Sequence, residues 1–149
     1  MNITHILVAT DLSREAMSCV PSVADLARSI KARITLLHVV ESFEAIPHGS
    51  PLAPPLGPTE NAKAMESARA KLEERRASYG SDIDIDVELV VGGDAAKEIT
   101  AYADANAVDL IAVTTHGRTG FRRLALGSVA EAVIRHSTVP VLVLPLPKE

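Results

Sequence analysis

The chain has 149 residues, 47% hydrophobic and 23% charged, with a net charge of -4 and one cysteine. That length points to one domain with room for a real core, and that balance excludes a disordered chain. The acidic net charge disfavours nucleic acid as the main partner, and a single cysteine, Cys19, excludes an internal disulfide.

His5 to Ala9 is a short aliphatic and β-branched run, a first strand. Ahead of it there is no basic stretch, apolar core and cleavage site of a secretory signal. No apolar run approaches the roughly 18 residues that span a bilayer, so the expected location is the cytoplasm, with no membrane contact. Ser13 to Ile30 carries Ala16, Val20, Val23, Ala24 and Ala27 at helical spacing, with Ser13 as the cap. Pro21 lies inside it and is expected to kink or split that helix, because proline removes a backbone donor. Cys19 falls in the same segment and reads as a buried, inert thiol. Arg33 to Val40 is a second, buried strand.

Residues 42–58 hold Pro47, Pro51, Pro54, Pro55 and Pro58 with Gly49 and Gly57, a density that predicts an exposed loop. Thr59 to Tyr79 reads as a helix with Met65, Ala68 and Leu72 on one face. Ile83 to Val91 alternates as a third strand, and Asp94 caps a helix running to about Asn106. Asp109 to Thr114 is the fourth strand, Ser128 to His136 the last helix, and Pro140 to Pro145 a fifth strand with a proline at each end.

Strand and helix alternate throughout, with no internal repeat. The pattern predicts an α/β fold with a single open five-stranded, mainly parallel sheet and helices on both faces, spanning residues 1–149 as one domain. Ligands of such sheets bind beyond the carboxyl ends of the strands where the strand order reverses. The ends of strands one, two and four are therefore the candidate surface.

The richest stretch there is Thr114-Thr115-His116-Gly117-Arg118-Thr119-Gly120-Phe121-Arg122-Arg123-Leu124-Ala125-Leu126-Gly127-Ser128-Val129. It joins a buried strand to an amphipathic helix. Unpaired N–H groups and the helix dipole favour an anion at a helix start, and the arginines add positive charge. This combination predicts a phosphorylated small molecule as ligand. Other phosphate and catalytic signatures are missing: Thr10-Asp11-Leu12-Ser13 replaces the glycine fingerprint of dinucleotide sites, and neither a P-loop nor G-x-S-x-G occurs. The histidines at 5, 38, 48, 116 and 136 are scattered without metal-ligand spacing.

Four pieces together resemble the universal stress protein family: Ile6-Leu7-Val8-Ala9-Thr10-Asp11-Leu12-Ser13, Leu36-Leu37-His38-Val39-Val40, Gly117-x9-Gly127-Ser128 and Val139-Pro140-Val141-Leu142-Val143. They run from strand one to strand five. The resemblance implies a Rossmann-like fold of the adenine nucleotide alpha hydrolase-like group. It also implies a dimeric stress-response regulator that binds ATP, with Mg²⁺ carried by the nucleotide. The nucleotide-binding branch carries G-x2-G-x9-G-[ST]; here Thr114 stands at the first glycine.

By the same resemblance Asp11 would accept from the ribose hydroxyls, and the main chain of Val39 would select adenine. Ala9, Thr10 and Val113 would line the base and ribose pocket. Gly117, Arg118, Gly127, Ser128 and Val129 would hold phosphates, with His116 in the same loop, and the backbone at Thr114 would approach the sugar. Bland roles compete: Asp11 as a helix cap, Gly127 as a turn glycine, Ser128 in a capping box with Glu131, His116 as a loop-shaping residue, Arg122 and Arg123 as a solvated face. Two other functions stand beside ATP binding: a family member working through an unknown protein partner, favoured by Thr114, and a nucleotide hydrolase or transferase. No residue is assigned a catalytic role. Val139 to Leu144, last and apolar, is expected at a sheet edge, pairing with a second copy to form a homodimer.

Overall fold

The computed structural model describes residues 2–41, 58–115 and 126–146. The elements follow the order β1 (His5–Ala9), α1 (Arg14–Met17), α2 (Val20–Ile30), β2 (Arg33–Glu41), α3 (Pro58–Ala77), β3 (Ile85–Gly92), α4 (Ala95–Ala105), β4 (Leu110–Thr114), α5 (Ser128–His136) and β5 (Val141–Leu144). The five strands form one sheet in the order β3-β2-β1-β4-β5. Every pairing is parallel, with Ala9 opposite Leu37, Val8 opposite Ala112 and Thr114 opposite Leu144.

Strand alternation divides the apolar residues between two cores. Ile6, Val8, Ile34 and Leu36 pack beneath Val20, Val23, Ala24 and Ala27 of α2 and Leu72 of α3. Leu7, Leu37, Ile111 and Val113 pack beneath Ala96, Ile99 and Ala103 of α4 and Ala130 and Val133 of α5. Ile34, Leu36, Leu37 and Ile111 are buried almost completely, each worth about 1.5–3 kcal/mol of apolar transfer.

The proline inside the first helical segment splits it. The chain leaves α1 at Met17 and restarts at Val20, with Pro21 in the first turn of α2, where its missing donor has no partner to lose. Cys19 sits at that junction, buried, its Sγ donating to the Ala16 carbonyl, and burial pushes the thiol up to about 11. Two expectations shift at the ends of elements. Pro58 opens α3 instead of closing the proline-rich segment, the rest of which lies outside the described residues. The third strand begins at Ile85, two residues later than its alternation suggested, and runs on to Gly92.

A polar cluster closes the end of the sheet where β1, β2 and β4 begin. The Asp109 carboxylate accepts from the Thr4 amide at 2.8 Å, the Thr4 hydroxyl at 2.9 Å and the His5 amide at 3.0 Å, and those donors hold it below the usual carboxylate range. His5 is buried, with Nε2 2.8 Å from the Thr35 hydroxyl and Nδ1 2.9 Å from the Arg33 guanidinium. Burial first, and then the Arg33 charge, lower its pKa below 6.5.

The folded state thus favours neutral His5. The stability this contributes is complete above the ordinary value and is lost as pH falls through it toward the lowered one. The melting temperature is expected to fall as the pH drops below 6.5. His5→Gln, which has no proton to gain, is expected to flatten that slope; an unchanged slope in a calorimetric scan would contradict the account.

Candidate functional site

The strand order turns back on itself between β1 and β4, and beyond the carboxyl ends of such a pair is where sheets of this kind place their ligand crevice. Four segments meet around it: the turn after β1, the end of β2, the end of β4 and the start of α5.

The turn after β1 is held by a dense set of bonds. The Thr10 amide donates to the Leu37 carbonyl at 2.9 Å, extending the β1–β2 ladder by one residue. The Thr10 hydroxyl accepts from the Leu12 amide at 3.0 Å and donates to Met17 Sδ at 3.1 Å. Asp11 Oδ1 accepts from the Ser13 amide at 2.9 Å, and Ser13 Oγ accepts from the Ala16 amide at 3.0 Å. Ser13, not Asp11, therefore caps α1, and the Asp11 carboxylate braces the turn from one side.

Alternation sorts the predicted pocket residues. Ala9, Val39 and Val113 face the α4–α5 side. The Thr10 side chain faces the α1 side, so only its main chain borders the crevice on the other. Thr114 follows Val113 and shares the face of Ala112; it is buried. The Thr115 amide donates to the Leu144 carbonyl at 3.0 Å, and the Thr115 carbonyl accepts from the Gly127 amide at 2.6 Å. That last bond ties the end of β4 to the start of α5. Residues 116–125, with His116, Gly117, Arg118, Arg122 and Arg123, lie outside the described residues.

α5 begins at Ser128, as its pattern predicts, but the capping role weighed for Ser128 falls to its neighbour. Gly127 is the N-cap, with φ -60° and ψ 148°, and supplies no side-chain acceptor. Ser128 is the first helical residue, one position too far along to form the capping box with Glu131. Both Ser128 and Val129 are exposed. Gly127 itself brings no side chain to the first-turn amides of α5, and an N-cap of that kind suits an anionic group. The φ of Gly127 is one that any residue adopts, so the position makes no demand for glycine on conformational grounds.

His38, one residue before Val39, also belongs to this site. Its Nδ1 lies 2.8 Å from the Thr10 carbonyl and donates to it. Nothing in the local sequence marks this contact, because the neighbour of His38 across the sheet is set by register. Among the described residues no cluster of three or more His, Cys, Asp or Glu could hold a metal ion. A groove of about 280 Å³ lined by Leu12, Met17, Lys71, Glu74, Arg75 and Ser78 lies on the opposite, α1–α3 side of the turn.

A five-stranded parallel sheet whose order reverses between β1 and β4, with helices on both faces, defines an open, doubly wound α/β protein. The universal stress protein family model matches residues 2–145, and the chain belongs to that family. It is 32% identical over 148 residues to universal stress protein MJ0531 of Methanocaldococcus jannaschii, covering 97% of this chain and 83% of that one. The solved structure of hypothetical protein MJ0577, from the same organism, superposes with a TM-score of 0.76 at 27% identity over 100% of both chains. The universal stress protein from Archaeoglobus fulgidus in complex with dAMP shares the fold, with a TM-score of 0.63 and 23% identity over 96% of this chain and 98% of that one.

Proposed function

We propose that this chain binds ATP or a related adenine nucleotide at the β1–β4 crevice and acts as a homodimeric stress-response sensor or regulator in the cytoplasm. The observation that carries the reading is the meeting of the Thr10–Ser13 turn, Val39 and the side-chain-free N-cap of α5 at the strand reversal. The dAMP complex of the Archaeoglobus fulgidus protein supports it at the level of the fold.

In this reading Ala9 and Val113 floor the base, and the Val39 main chain reads the adenine edge. The Asp11 carboxylate takes ribose hydroxyls, with the Thr10 main chain and Thr114 bordering the sugar. Gly127, Ser128 and Val129 present amides to the phosphates, joined by His116, Gly117 and Arg118. Mg²⁺ would be held by phosphate oxygens and water. Thr114, at a position where the nucleotide-binding branch has glycine, supports a second reading: a family member that works through a protein partner without nucleotide.

A thermal-shift titration separates the two. With Kd near 10 μM, about 1 mM Mg-ATP adds about 2.7 kcal/mol by mass action. That corresponds to a melting-temperature rise of roughly 5–10 °C. No shift at that concentration would favour the second reading.

A further inference from the structure

We propose that His38 is a positioning residue for this site, locking the turn after β1 in the conformation that presents Asp11. The proposal rests on the nucleotide-binding reading for its functional half and on hydrogen bonds for its structural half.

The register of the β1–β2 pair places Ala9 opposite Leu37. His38 is therefore the first β2 residue beyond the last β1 residue, and alternation puts it on the face opposite Val39. Its Nδ1 reaches back 2.8 Å to the Thr10 carbonyl. A carbonyl only accepts, so Nδ1 carries the proton in this contact. The backbone leaves the sheet at that carbonyl. Two residues on, Leu12 adopts φ 66°, a left-handed conformation that leucine rarely takes and that the surroundings must enforce.

The enforcing bonds form a chain. The Thr10 amide is tied to Leu37, its carbonyl to His38, its hydroxyl to the Leu12 amide, and the Ser13 amide to Asp11. His38 is the member of this chain that anchors the turn to β2 through a side chain. Its imidazole stands behind the turn and makes no claim on the crevice face where Ala9, Val39 and Val113 lie. Removing it frees the Thr10 carbonyl, relaxes Leu12 and lets the Asp11 carboxylate move off the ribose position.

Three variants test this. His38→Ala removes the donor. His38→Asn places an amide N–H near the Nδ1 position, and His38→Gln places one near Nε2. In His38→Ala, amide hydrogen exchange at Leu12 and Ser13 is expected to rise about tenfold relative to β4 amides, and ATP affinity to fall about tenfold, as loss of one partly buried hydrogen bond allows. His38→Asn should restore both, while His38→Gln should behave as His38→Ala does.

Unchanged exchange at Leu12 and Ser13 in His38→Ala, or equal behaviour of the Asn and Gln variants, would overturn the proposal. Should His38→Ala fail to fold, the Asn and Gln comparison decides alone. If the unmodified protein takes up no ATP, the nucleotide reading fails, and the exchange measurement still decides whether His38 braces the turn.

Discussion

Gly127→Val is expected to abolish nucleotide binding, at least about 100-fold in Kd, in a protein that stays folded. Valine accepts φ -60° and ψ 148° without strain, because this is extended backbone. The amide bond to the Thr115 carbonyl and the carbonyl bond from the Glu131 amide are both main-chain and survive the change. Global stability should therefore move by less than about 1 kcal/mol, the scale of an ordinary surface substitution. What changes is the space at the start of α5. Two methyl groups on a rigid Cβ would stand where, in the proposed reading, phosphate oxygens approach the first-turn amides. Isothermal calorimetry and a urea melt on the same sample check both halves. A folded variant with unchanged affinity would place the phosphates elsewhere.

Val143→Pro is expected to turn a homodimer into a folded monomer. β5 lies at the sheet edge as its composition suggested. The carbonyls of Pro140 and Leu144 accept from the amides of Ile111 in β4 and of Thr115 just beyond it, so alternation turns the main-chain groups of Val141 and Val143 outward. Proline at 143 deletes an outward N–H and leaves the bonds to β4 intact, which is where a strand tolerates it. Lysines at Leu142 and Leu144 would be a poorer probe, since both side chains pack against the core beneath α2. Light scattering at tens of micromolar reads the result. A monomer mass for the unmodified protein would remove the dimer from the proposed function.

The alternation of strand and helix was legible because period-2 and period-3.6 patterns are local, and so were the caps at Ser13 and Asp94. The split at Pro21 was legible too, since proline acts through its own missing donor. The start of α5 at Ser128 was legible too, but its cap was not: Ser128-Val129-Ala130-Glu131 has the letters of a capping box, whereas the N-cap is Gly127, whose amide is tied to the Thr115 carbonyl. Pro58 was read with the loop because its neighbours are prolines and glycines, although the first position of a helix suits it equally. His38 was hidden for a different reason. Its partner is a carbonyl 28 residues away, and only the β1–β2 register brings the two together. The candidate crevice itself was legible as strand ends, whereas the sides on which Thr10 and Val39 present their side chains depended on that register.

Calorimetric titration of the purified protein with ATP and Mg²⁺, and then with GTP, tests the central claim most directly. The account predicts one site per chain with Kd in the micromolar range, about -7 to -8 kcal/mol. GTP should bind more weakly, because in the proposed reading the Val39 main chain would donate and accept in a fixed pattern matched to adenine. No heat at millimolar ATP, or equal affinity for GTP, would contradict it.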